Sequence, residues 1–266
     1  MSFLYLAGLN ANLFTQASTY SSSSEDSNYP VENVGDGITG NPFKFSSAGT
    51  DDTITIDLGS SQSATFVSVH GHNIDSGVTA VQLRKSTDNF AANDVLVATL
   101  TVSSPTFFAT FTSTSSRYWR IKFVGTNSDP IEIGELGLGV HSALATGANQ
   151  IKITSLEIEA LFPQNRQSGS LVPQVTTAAL TTHRQRVVTL GLRTFLFTQR
   201  DTVEGWLVTT SGGAEPFICV PDDDDVVVVH GRLPERVKWQ RAEGANQFQT
   251  TSVTIEEDSF SIKLAT

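Results

Sequence analysis

The sequence predicts an all-β protein of two domains, and three observations lead to that prediction. Short runs that alternate apolar and polar residues recur along the chain, and Gly, Asn, Asp and Ser separate them. Charged residues make up only 17% of the chain, so Ser, Thr, Asn and Gln carry most of its polarity, as is typical of strands and turns. The sequence also contains no long amphipathic helical pattern.

Residues 1–28 are predicted to be an N-terminal segment followed by an exposed connector. Residues 15–28 are almost wholly polar and include four consecutive serines, so they cannot bury enough apolar area to offset the ordering of their backbone. The apolar run at the start follows no basic residue and is too short for a signal-peptide core or a membrane span. We therefore expect synthesis in the cytoplasm and no membrane insertion.

Residues 29–145 are predicted to form a β-sandwich, because short strand-like runs follow one another at sandwich spacing. These runs cover residues 53–59, 64–72, 80–86, 95–102, 107–113 and 117–125. In the last run every second residue is apolar, which places Trp119, Ile121 and Phe123 on one strand face. We expect that face to lie in the core.

Residues 146–266 are predicted to form a second β-rich domain that makes contacts with other subunits. Its strand-like runs cover residues 150–162, 186–199, 205–210, 216–220, 225–231 and 250–257. Eight of its 11 basic residues are Arg, the cation best suited to bidentate ion pairs at interfaces. The net charge of the whole chain is -10, which argues against nonspecific binding of nucleic acid.

Three segments of the first domain carry a resemblance to a known family. They are TITIDLGSSQSATFVSVHGHNI, RYWRIKF and IEIGELGLG. Together they resemble the discoidin family, also called the factor 5/8 type C fold, which implies a jelly-roll-like β-sandwich. Members of that family that bind sugars use loops with exposed aromatic or basic residues. By that resemblance, the best candidate glycan loop contains Asn41, Phe43 and Lys44.

The second domain resembles the distal and minor tail proteins of long-tailed phages. The resemblance is carried by SGGAEPFICVPDDDD at 211–225, by a following strand pair that contains Trp239, and by the closing run TTSVTIEED. It implies a structural protein of the virion tail, assembled in the host cytoplasm as a ring of six subunits between the tail tube protein and the tail-tip hub proteins. DNA would pass through the ring without specific binding. The predicted ring contacts are Arg184, Arg186, Phe217, Asp222, Asp223, Asp224 and Asp225.

A second function remains open beside the tail ring. In this alternative, the discoidin-like domain is a carbohydrate-binding module that attaches to a glycan on a host cell, and the second domain is only an attachment domain. The two functions can coexist, because they use different halves of the chain.

Metal binding is weighed at two places, and the sequence predicts neither a metal nor a cofactor. His70 and His72 share one face of a strand and could offer two imidazoles, but no third ligand is evident, and a hydrogen-bonded or exposed pair is the alternative. The four carboxylates at 222–225 lack the spacing of a calcium loop and are interpreted as a solvated turn or an acidic patch facing a channel.

The sequence predicts no catalytic activity. The segment Gln167-Ser168-Gly169-Ser170 lacks the first glycine of a nucleophile turn, and Cys219 lies in an apolar run where a buried thiol is inert. Glu132 and Glu135 are close in sequence, which says nothing about the separation of about 5–10 Å that glycoside hydrolysis needs. Glu135 is expected to hold the closing discoidin-like strand in place.

Overall fold

The structure is a computed structural model that describes most of the first half of the chain and shorter parts of the second. The described residues are 3–6, 11–102, 106–144, 152–161, 181–194, 200–201, 203–205, 216–220, 229–233, 239–241, 248–250, 253–257 and 260–263.

In the first half the strands are β1 (Phe3–Leu6), β2 (Thr19–Ser22), β3 (Phe43–Lys44), β4 (Thr53–His72), β5 (Val78–Ser86), β6 (Val95–Leu100), β7 (Thr106–Gly125), β8 (Glu132–Gly139) and β9 (Ser142–Leu144). In the second half they are β10 (Lys152–Leu161), β11 (Thr181–Thr194), β12 (Phe217–Val220), β13 (Val229–Arg232), β14 (Trp239–Arg241), β15 (Phe248–Thr250), β16 (Val253–Glu257) and β17 (Phe260–Lys263). A 3-10 helix spans Val31–Gly35. The prediction of an all-β chain is confirmed.

One seven-stranded sheet supplies both layers of a β-sandwich. Its order is β3-β8-β4-β7-β5-β6, with β2 also paired to β4. The start of β4 pairs with the end of β7, beside β2, β5 and β6, and we call this group the first layer. The end of β4 pairs with the start of β7, beside β8 and β3, and we call this group the second layer.

The two longest strands each join two of the predicted runs. β4 and β7 are each 20 residues long and cross from one layer to the other. Asp57 and Gly59 lie inside β4, where Gly59 has a φ of +70° and its amide donates to Asp57 Oδ1 at 2.7 Å. A side chain other than glycine would be strained at that φ. The register of β4 on β7 shifts just after this point, between Asp57 and Gln62.

The core of the sandwich lies between the two layers. The predicted face of β7 is buried, since Trp119, Ile121 and Phe123 are each 0% exposed. From the second layer, Phe107 on β7 and Leu136 on β8 pack into the same cluster. The prediction of that core face is confirmed.

The second sheet contains ten strands and includes the start of the chain. Its order is β14-β15-β11-β16-β13-β12-β1-β9, with β10 and β17 also paired to β11. All four residues of β12 are buried, including Cys219.

The first 28 residues are not a simple segment and connector, because two strands form within them. β1 lies between β12 and β9, with Leu4 opposite Val220, so the N-terminus belongs to the second sheet. β2 pairs with β4 inside the region predicted as a connector, with Ser22 opposite Ile54. Polar side chains suit such a half-exposed edge strand, because backbone pairing orders the segment where apolar burial cannot.

Apolar contacts also join the two sheets. Leu4 and Leu6 of β1, Ile218 and Val220 of β12, and Phe66 of β4 form one buried cluster. Within the described ranges, no helix is long and apolar enough to cross a membrane.

Candidate functional site

The predicted glycan loop does not present an aromatic ring to solvent. Phe43 is 0% exposed and packs edge-on against Phe45, with ring centroids 4.7 Å apart, so its place in a glycan site is wrong. Lys44 forms an ion pair with Glu132 at 2.7 Å. Asn41 is exposed, and its amide donates to Asp36 at 2.8 Å. The physical reason is that Phe43 on β3 and Phe45 just after it point to the same side, and that side is the core.

The histidine pair is buried rather than exposed. His70 and His72 are 1% and 4% exposed, and His70 Nε2 lies 2.9 Å from Ser68 Oγ. The ring of His72 packs edge-on against Phe107. In the described part of the chain, no group of three or more His, Cys, Asp or Glu side chains is arranged to hold a metal ion.

Glu135 is fully buried in β8 and binds neighbouring segments. Its carboxylate accepts hydrogen bonds from the backbone amide of Gly37 at 3.1 Å and from Asn12 Nδ2 at 3.4 Å. It also lies near Tyr20, whose pKa rises to about 12, first because of burial and then because of the nearby Glu135 charge. Glu132 is instead paired with Lys44. Glu135 therefore has a structural role, because it holds the segments that contain Asn12 and Gly37 against β8.

Most of the predicted ring contacts have side chains that lie outside the described part of the chain. Arg184 and Arg186 lie on β11, opposite Phe260 and Ala160 respectively, but their side chains are outside the described set. Residues 222–225 also lie outside the described residues. Phe217 is 1% exposed, so its ring packs inside a single chain rather than on a subunit surface.

An open cleft lies on the outer side of the second layer, where the sandwich meets β1. Its volume is about 570 Å³, within the range of about 300–1,000 Å³ typical of small-ligand sites. It is lined by Leu4, Phe108, Thr110, Phe111, Thr112 and His141, and we call it the Phe108 cleft. None of these described lining residues carries a carboxylate, an amine or a guanidinium.

The aromatic wall of the Phe108 cleft is held from behind. Phe66 stacks on Phe108 with ring centroids 5.8 Å apart and ring planes 22° from parallel. Phe66 itself is 1% exposed and belongs to the cluster that joins the two sheets. Phe108 is therefore a half-exposed ring on a fixed support, which costs little to order when a ligand packs against it.

The polar wall of the cleft is built around His141. The backbone amide of His141 donates to Thr65 Oγ1 at 3.1 Å, and the same oxygen lies 2.8 Å from His141 Nδ1. Burial lowers the pKa of His141 below its usual value, so the imidazole is neutral at pH 7. If the Thr65 hydroxyl donates to Nδ1, the ring proton lies on Nε2. Such a ring is a hydrogen-bond donor without a charge.

Part of this cleft could have been predicted from the alternation of residues along β7. Along residues 107–113, Phe108, Thr110 and Thr112 alternate with other residues, so they share one strand face. Two hydroxyls beside one aromatic ring indicate a face at the surface rather than in the core. The contribution of Leu4 and His141 had no local signal, because both come from outside that run.

Comparison with known proteins finds similarity only among solved structures. No family model matches the chain, and no curated protein matches it. A chitosan-binding module of a chitosanase/glucanase from Paenibacillus sp. IK-5, in complex with chitotriose, is 20% identical, covering 48% of this chain and 99% of that one, with a TM-score of 0.43. The family 32 carbohydrate-binding module of NanJ from C. perfringens, in complex with galactose, is 15% identical over 53% of this chain and 99% of that one, with a TM-score of 0.40.

A third similar structure is the family 32 module of AlyQ in complex with 4,5-unsaturated mannuronic acid. It is 25% identical, covers 46% of this chain and 94% of that one, and has a TM-score of 0.37. Each of these matches spans about half of the present chain.

Proposed function

We propose that the N-terminal sandwich is a carbohydrate-binding module that holds a neutral sugar in the Phe108 cleft. The observation that carries this proposal is the half-exposed, backed ring of Phe108 in a cleft whose polar groups are the hydroxyls of Thr110 and Thr112 and the neutral imidazole of His141. A pyranose offers an apolar C–H face to an aromatic ring and hydroxyl groups at its rim. This cleft offers the complementary surfaces.

The absence of charged groups from the described lining of the cleft favours a neutral over an acidic sugar. A buried or half-buried carboxylate needs a cation or several donors to replace its water. Thr hydroxyls and a neutral imidazole instead exchange single hydrogen bonds with sugar hydroxyls. The ligand class is therefore an uncharged mono- or oligosaccharide.

Replacing Phe108 with Ala is expected to abolish measurable glycan binding. The ring forms the aromatic wall of the cleft, and truncating a central aromatic contact of the hot-spot kind costs about tenfold or more in affinity. The full-length chain would be screened on an array of neutral glycans, and its best ligand measured by calorimetry. Thr112→Val keeps the side-chain shape but removes a hydroxyl, and should weaken binding about three- to tenfold.

Tyr29→Ala is the matched control, because Tyr29 is a 40% exposed aromatic residue beside β3, at the far edge of the second layer from β7. It should leave binding unchanged. If the wild-type chain binds no glycan on the array, the proposed function is rejected. If Phe108→Ala and Tyr29→Ala bind equally well, the sugar binds elsewhere.

The ring in a phage tail stays a prediction, and the mass of the full chain in solution tests it. Light scattering behind size-exclusion chromatography should give about six times 28.6 kDa if the chain closes its predicted ring unaided. Arg186→Glu should then lower the mass to that of smaller species. If the mass is that of one chain at every concentration, the chain does not form a ring by itself, and the glycan-binding module is the function that remains.

A further inference from the structure

The basic residues of the first half of the chain are concentrated on two neighbouring strands. Residues 1–145 contain six basic and 13 acidic side chains, yet five of the six basic ones lie on β5 and β7. Those five are Arg84, Lys85, Arg117, Arg120 and Lys122. A local cationic surface on an acidic protein concentrates anions where it lies.

Three of these cations already have a carboxylate partner. Arg117 forms two hydrogen bonds of 2.7 Å with Asp57. Lys122 pairs with Asp51 at 2.9 Å, and Arg84 pairs with Asp94 at 2.6 Å. These contacts reduce the attraction of those three groups for a further anion.

Arg120 is different, since among the described residues it has no carboxylate within ion-pair distance. Its Nε donates to Thr55 Oγ1 at 2.9 Å, and its guanidinium lies over the ring of Phe90, 3.7 Å from the centroid. Both contacts fix the plane of the guanidinium, but they use one of its five N–H groups. Asn89 and Phe90 have φ of 57° and 63°, so the loop adopts a costly conformation where it places the ring there.

The neighbours of Arg120 form a polar grid on the outer side of the first layer. Thr55 and Arg84 lie directly opposite Arg120 on the two adjacent strands. Two positions along β7, Lys122 lies between Thr53 and Gln82 in the same way. Alternate residues of a strand share a face, so these six side chains occupy one surface. Placing Arg84 opposite Arg120 is unfavourable unless an anion lies near both, and Asp94, which pairs with Arg84, meets only part of that need.

We propose that this grid is a second ligand site, separate from the Phe108 cleft, which binds the carboxylate of an acidic oligosaccharide on Arg120. Arg offers a planar fork of donors that matches a carboxylate, and Arg84 lies beside it to share the charge. Gln82 and Thr53 supply neutral groups suited to sugar hydroxyls, whereas Thr55 is buried and orients the Arg120 guanidinium. The site lies on the first layer and the cleft on the second, so neither proposal depends on the other.

The test uses the full-length chain and trigalacturonate as the probe, with binding measured by calorimetry at two salt concentrations. The wild-type chain should bind, and its affinity should fall as salt rises, because the contact is electrostatic and partly exposed. Arg120→Gln should lower the affinity at least tenfold, and Arg120→Lys should recover only part of the loss. Arg117→Gln is the matched control and should change the affinity less than twofold, because Asp57 already occupies that guanidinium.

A gain of affinity separates this site from a folding effect. Asp94→Asn removes the carboxylate that competes for Arg84, so it should tighten trigalacturonate binding about two- to fivefold. A misfolded variant would not produce that gain. The proposal is overturned if the wild-type chain does not bind trigalacturonate, or if Arg117→Gln and Arg120→Gln lower the affinity equally. It is also overturned if hexaglutamate binds as tightly as trigalacturonate. The last result would assign the surface to an acidic peptide.

Discussion

Replacing Trp119 with Ala should destabilise the sandwich by about 3–5 kcal/mol, the range for removing a large buried aromatic side chain. Trp119 is 0% exposed, and its indole N–H donates to the backbone oxygen of Ser116 at 3.1 Å. The substitution would leave a cavity at the centre of β7 and an acceptor without its partner. Urea denaturation of the full-length chain, followed by circular dichroism, measures the loss.

Tyr118→Ala is the control, because Tyr118 is the adjacent aromatic residue on the opposite, half-exposed face of β7. Its loss should cost under about 1.5 kcal/mol, since a half-exposed ring leaves a smaller cavity. If the two variants lose equal free energy of unfolding, the two faces of β7 have similar surroundings. That result would contradict the assignment of one face to the core between the layers.

Asn12→Ala should destabilise the same domain by about 2–4 kcal/mol, because one side chain serves three backbone groups. The Asn12 amide donates to the Leu136 oxygen at 2.8 Å, and its Oδ1 accepts from the backbone amides of Phe14 and Leu138, each at 3.1 Å. Asn12 is 4% exposed, so water cannot readily replace these bonds. Denaturation measures the stability, and hydrogen exchange at the Leu138 amide should accelerate.

Asn41→Ala is the comparison for that variant. Asn41 is an exposed asparagine whose bond to Asp36 lies at the surface, and its loss should cost under about 0.5 kcal/mol. If Asn12→Ala is as mild as Asn41→Ala, the N-terminal segment is not held against β8 by this side chain.

Local alternation in the sequence was enough to predict the runs that form β4, β5, β6 and β7 and the core face of the sandwich. The pattern around Trp119 decides which residues of β7 are buried, because the period of a strand needs no information from elsewhere in the chain. The same rule, applied to Phe43 and Phe45, would have placed both in the core and removed Phe43 from the glycan loop. The family resemblance led the prediction towards that loop, while the residues themselves indicated burial.

The pairing of strands that are far apart in the sequence could not be predicted from local patterns. β1 contains four residues, and its partners lie on β12 and β9, so nothing local distinguishes it from a loop. The Phe108 cleft depends on that pairing, because Leu4 of β1 forms part of its lining. The cationic grid likewise depends on which strands are neighbours, since Arg84 and Arg120 are far apart in sequence but directly opposite in the sheet.

The position of β1 also sets the order in which the chain can finish folding during synthesis. The sandwich strands between Thr19 and Gly139 can pair as soon as they have left the ribosome. Leu4, however, has one partner at Ala143 and the other at Val220, so one edge of β1 stays unpaired until most of the chain has been translated. Until then that edge is open to a chaperone or to pairing with another copy of the chain.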